Sequence, residues 1–127
     1  MQEVGVRYVR LYADADGASV FEDVVSETQD RLIAEGVPPV LTAGPLPASA
    51  LIYVEQKPEA ADWEQHVAPR RQWVILLRGR GSITVSSGEV REFGPGDVLL
   101  VEDTTGEGHL SIPLTEDFAF VMIPTGD

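Results

Sequence analysis

The sequence predicts an all-β fold, and three observations carry that reading. Apolar residues recur at alternate positions through much of the chain, as in strands with one buried face. Gly and Pro are dense, at 12 and 9, and they fall between the apolar runs where turns belong. A length of 127 residues, 43% hydrophobic and 24% charged, suits one compact domain with one core, so residues 1–127 are read as a single unit.

In chain order, Val6 to Tyr12 and Leu51 to Glu55 read as strands, and Pro38, Pro39, Pro45 and Pro47 mark an irregular connection before the second of them. The segment Phe21 to Glu35 stays open between one short helix and strand. Phe21, Val24, Val25, Leu32 and Ile33 fall near helical spacing and Gly36 suits a helix C-cap, whereas the β-branched pair Val24-Val25 suits a strand. A meander follows: Gln72 to Arg78, a Gly79-Arg80-Gly81 turn, Ser82 to Ser86, a Ser87-Gly88 turn, then Glu89 to Phe93. Ile83 and Val85 share one face of their strand, and Ser82, Thr84 and Ser86 share the wet one. Trp73 to Leu77 has no alternation, which predicts a strand covered on both faces by a second sheet or another subunit, hence a sandwich or barrel that forms a homodimer. Pro95-Gly96-Asp97 is a turn, because proline presets φ, glycine accepts positive φ and aspartate bonds its neighbours. Val98 to Val101 is the next strand, Asp103 to Gly108 a loop, and Phe118 to Ile123 the last strand.

Composition removes several function classes. Nine Lys and Arg against 21 Asp and Glu give a net charge of −12, which repels nucleic-acid backbones and anionic lipid. With no cysteine there is no disulfide, thiolate metal site or cysteine nucleophile, so a metal would need His, carboxylate or amide oxygen. Met1 to Arg10 alternates charge with Val and Tyr and shows no secretory signal, so a cytoplasmic location is expected. The longest apolar runs fall far short of the roughly 20 residues of a membrane-spanning helix. No G-x-S-x-G elbow, phosphate loop or G-x-G-x-x-G before a helix is present.

From His66 to His109 the order of residues resembles the cupin family. In that family a first motif supplies a His-x-His pair, a Glu and a closing Gly, and a second opens on Pro-Gly-Asp and ends on a His. Here His66, Gln72 and Gly79 stand where the first His, the Glu and the Gly belong, and Pro95-Gly96-Asp97 opens the second motif. Ala68 replaces the second His, and Glu107 takes the usual place of the last, with His109 two residues on. The stretch Asp62-Trp63 through Gln72, with Glu102 to Gly106 and His109, looks like a subgroup of small bacterial cupins. The resemblance implies a cupin-like jelly-roll barrel, a double-stranded β-helix, with a small organic molecule in its interior. It also implies a divalent metal (Fe, Mn, Zn or Ni) on His66, Gln72 and His109, and lyase, isomerase or oxygenase chemistry.

The residues themselves constrain these expectations. His66 and Gln72 would lie about 20 Å apart on a straight strand at about 3.3 Å per residue, so convergence requires a turn between them, and Pro69 is placed to make it. Without a metal, His66 and His109 remain candidate catalytic acids or bases, because imidazole titrates near neutrality. Arg70 shares the parity of Gln72 and is the candidate for binding a substrate carboxylate, against the plainer reading of a surface salt bridge. Trp63 is a candidate for the pocket mouth or for ordinary packing, and Glu107 for an oxygen ligand or a solvated loop carboxylate. The rival functions are a metal-free barrel that binds or shapes its ligand, and an interaction protein with a vestigial pocket.

Overall fold

A computed structural model describes residues 5–58 and 63–127. Asp62, part of the stretch that carries the family resemblance, lies outside them, as do the first four residues of the N-terminal segment. Eleven strands occur among the described residues: β1 (Val6–Ala13), β2 (Ser19–Ser26), β3 (Gln29–Arg31), β4 (Val40–Thr42), β5 (Ile52–Gln56), β6 (Gln72–Arg78), β7 (Gly81–Val85), β8 (Val90–Phe93), β9 (Val98–Val101), β10 (His109–Pro113) and β11 (Phe118–Pro124). The fold is all-β.

Six strands form one sheet in the order β2-β1-β9-β6-β11-β5, and three form a second in the order β10-β7-β8. Pairing is antiparallel except where β1 runs parallel to β9. The large sheet ends at β2 and β5 and the small one at β10 and β8, so strand pairing does not close them into a barrel. They pack face to face, as in a sandwich. Leu11, Leu76, Leu99 and Val101 of the large sheet meet Val85 and Phe93 of the small one in a single buried cluster. Registers enforce this sidedness. Val74 opposes Leu99 on β9 and Met122 on β11, and Gln72 opposes Val101, so these side chains share the inner face.

The segment open between helix and strand resolves as strand. β2 pairs with β1 over eight residues, from Val6↔Ser26 to Ala13↔Ser19, and no helix occurs among the described residues. Val24 and Val25 take the extended conformation that β-branched side chains favour. Accordingly, no helix is long and apolar enough to cross a membrane among the described residues.

A second expectation changes more. Val74 and Leu76 point inward, but Trp73 and Ile75 are only half-buried and Leu77 is 45% exposed on the outer face. Within one chain this strand is covered on one side only. Its apolar run therefore does not by itself show that both faces are buried.

At one end of the large sheet Glu102 joins three segments. Its carboxylate accepts from Arg10 Nε of β1, and from Arg71 Nε at 2.6 Å, and Arg71 in turn donates to Asp127 at 2.8 Å. Burial pushes the Glu102 carboxyl up, but the two guanidinium groups outweigh it and hold it below the usual carboxylate range. Folding lowers this group's pKa, so its stabilisation is fully present above about pH 4.3 and is lost as pH falls through the lower folded value. Glu102→Gln is expected to cost about 1 kcal/mol at pH 7, with the difference from the parent vanishing in acid. Urea unfolding at several pH values checks this, and a cost that does not change with pH would contradict it.

Candidate functional site

The site is built where the chain turns toward the small sheet. Between His66 and Gln72 it bends at Pro69-Arg70, so Gln72 enters β6 pointing inward while His66 stays at the rim. His66 and His109 then form an isolated antiparallel bridge. His66 N donates to His109 O at 2.8 Å and His109 N to His66 O at 2.9 Å. Gly108 permits this approach, because its φ is +83° and a Cβ there would fall 2.3 Å from His66 O. The two imidazole centroids are 5.0 Å apart.

A cavity of about 250 Å³ lies between the sheets, walled by apolar side chains such as Val74, Leu76, Leu99, Phe118 and Phe120. A few polar groups enter it: Gln56, His66, Gln72, His109 and Ser111. Pairing of His109 with Val85 and of Ser111 with Ile83 places both polar residues on the inner face of the small sheet. An apolar chamber with a few convergent polar groups is the usual form of a small-molecule site.

His109 is the most constrained of these groups. It is buried, and its Nδ1 lies 2.6 Å from Asp103 Oδ2, whose side chain is fully buried. Ser19 Oγ donates to the same oxygen at 2.7 Å, and Ser19 N donates to Ser86 Oγ at 2.7 Å, so the carboxylate is held from two directions. A carboxylate accepts, which assigns the ring proton to Nδ1 and leaves Nε2 as an acceptor. His66 Nδ1 lies 2.9 Å from Val67 O, and by the same reasoning its Nε2 is also an acceptor. The rim thus offers one imidazole acceptor and the interior a second.

Gln72 is buried and has one partner at each end of its amide: Oε1 accepts from Arg70 Nη1 at 2.9 Å, and Nε2 lies 3.4 Å from Met122 Sδ. Shared parity with Gln72 would have turned Arg70 inward, but Arg70 lies in the bend before β6, is exposed and does not line the cavity. Its guanidinium is engaged by Gln72. Trp63 is half-buried and also lies outside the lining; its Nε1 is buried with no hydrogen-bond partner among the described residues. Glu107 is exposed, and only its backbone is engaged, with its carbonyl accepting from Gln65 Nε2 and its N–H donating to Gly17 O.

A divalent ion of the kind the resemblance implies would draw on His66, Gln72 and His109. The imidazoles suit it, being close together with Nε2 free in each. Gln72 suits it less, because its oxygen, the metal-binding atom of an amide, accepts from the Arg70 guanidinium, which uses one lone pair and sets a second cation beside it. Among the described residues no three His, Asp or Glu side chains are grouped to hold an ion.

No family model matches the sequence, and no curated protein does either.

Sequence reading placed His66, Gln72 and His109 together, but it assigned no role to Asp103, Ser19 or Ser111. An Asp six residues before a candidate His, across a loop with two glycines, was the one available signal. If Asp103 fixes the tautomer of His109, Asp103→Asn should convert its single Nδ1–H form into a mixture, seen in imidazole ¹⁵N shifts. Ser19→Ala should act in the same direction more weakly. An unchanged single tautomer in both variants would remove Asp103 from that role.

Proposed function

We propose that the chain is a cupin-like two-sheet jelly roll whose interior binds a small, largely apolar molecule bearing a hydroxyl or enol group. His109 takes a hydrogen bond, and then a proton, from that group. The observation that carries this reading is the Asp103–His109 contact, a fully buried carboxylate 2.6 Å from one nitrogen of an imidazole that lines the cavity. A carboxylate behind Nδ1 orients the ring and stabilises the imidazolium that forms when Nε2 accepts a proton. The apolar walls favour an apolar ligand body and strengthen each polar contact inside. Ser111 supplies a further hydrogen bond to the ligand's polar end. His66 at the rim is the second acid or base, able to pass a proton outward.

The reading needs no metal, because His109 held by Asp103 is itself the proton acceptor. Protein purified without an affinity tag is expected to retain no stoichiometric divalent ion. A stoichiometric ion in the unaltered chain, lost in both His66→Ala and His109→Ala, would replace this reading with metal-assisted chemistry on the same two residues.

The ligand class is tested with two probes that differ by one hydroxyl group, p-cresol and toluene, by NMR titration. The hydroxylated probe should bind about tenfold more tightly, the worth of one net hydrogen bond. His109→Ala should abolish that preference while leaving toluene binding in place, and Ser111→Phe should block both by filling the cavity. Equal affinities for the two probes, or no binding of either, would refute the proposal.

A further inference from the structure

The β3–β4 hairpin is the least supported part of the molecule. Its two strands pair with each other and with no other strand. A lone two-stranded hairpin is marginal in water without an apolar surface to pack on. Yet residues 29–51, which contain it, hold Leu32, Ile33, Val37, Val40, Leu41, Leu46 and Leu51, seven of the fifteen exposed large hydrophobic side chains among the described residues. This arm displays apolar surface that its own chain does not cover.

The opposite deficiency lies on the outer face of the large sheet. Trp73, Ile75 and Leu77 of β6 point outward, and the registers Val121↔Ile75 and Val121↔Tyr53 extend that apolar face across β11 to β5. Tyr53 is 47% exposed and Leu77 45% exposed. One chain thus carries both a protruding apolar arm and an uncovered apolar face.

Surface area measures the mismatch. The accessible surface is 7773 Å². A compact monomer of 13.8 kDa is expected to show roughly 6,600 Å², leaving an excess of roughly 1,100 Å². A stable dimer of standard size buries about 800 Å² per partner, so the excess is of the size a second subunit would remove. Charge favours the same contact. Residues 29–51 contain Asp30, Arg31 and Glu35, a net of −1 against −12 for the whole chain. Two strongly acidic chains repel least where they meet through such a nearly neutral segment.

We infer that the occupant of the outer sheet face is the β3–β4 arm of a second copy of this chain, exchanged reciprocally in a two-fold dimer. Each arm lays Leu32, Ile33 and Leu41 over Ile75, Leu77 and Tyr53 of the other copy. The contact is independent of the ligand proposed for the cavity.

Sedimentation equilibrium of the full chain should give twice the monomer mass at micromolar concentration, with association strengthened by added salt as the like charges are screened. The double variant Ile33→Asp, Leu41→Asp and, separately, Leu77→Asp should each weaken the dimer by at least about tenfold, with circular dichroism unchanged. The native chain has no cysteine, so cross-linking has no background. A mixture of Ile33→Cys and Leu77→Cys proteins should be joined by a short bismaleimide. A monomer at 100 micromolar, taken as about the upper limit for a specific pair, would overturn the inference. So would a dimer indifferent to both sets of Asp substitutions, or the absence of the Ile33→Cys to Leu77→Cys link.

Discussion

Two reciprocal backbone hydrogen bonds between His66 and His109 hold the cavity rim in its shape. They join a segment before β6 to the first residue of β10, and so tie the large sheet to the small one on the side where the polar groups gather. The bonds form because Gly108 has no side chain to keep the two backbones apart. Pro69 then redirects the chain so that Gln72 enters β6 on the inner face. Remove the bridge and the two imidazoles lose their common location, while the rest of the sheet pairing stays intact.

Inside the rim, the structure concentrates polarity at one point of an apolar chamber. Asp103 is fully buried, and its Oδ2 accepts from both His109 and Ser19. Its Oδ1 is buried without a partner among the described residues, a cost on the order of 1–3 kcal/mol that an apolar residue would not incur. Such a cost is characteristic of a group kept for what it does to a neighbour. Here the neighbour is a histidine that lines the apolar cavity between the sheets.

Much of the fold was legible because several strands announce themselves locally. β6 and β9 have the limits expected from the sequence, the Pro95-Gly96-Asp97 turn closes with Asp97 accepting from Gly94 N at 2.8 Å, and the bend at Pro69 falls where convergence of His66 and Gln72 demanded it. The rest depended on tertiary contacts. β2 was ambiguous because its apolar spacing fits two periods, and only pairing with β1 decides between them. β10 was hidden because its alternation is inverted, with polar His109 and Ser111 on the inner face that lines a cavity and apolar Leu110 and Ile112 on the other. Asp103 and Ser19 are 84 residues apart. No local pattern marks such a pair, and a Ser at a strand start gives no sign that it supports a carboxylate. Trp63 and Arg70 had the right neighbourhood but not the right direction, since position along the chain does not fix which surface a side chain meets.

The parallel pairing of β1 with β9, through Val9↔Leu99 and Leu11↔Val101, also dictates the order in which the chain can acquire its shape. Leu11 is wholly enclosed in the finished molecule, but the strand beside it is the ninth to leave the ribosome. Leu11, Leu99 and Val101 belong to one buried cluster, so that part of the core is complete only once β9 is in place. Loop closure over so long a stretch is slow, so maturation is deferred until synthesis is nearly finished.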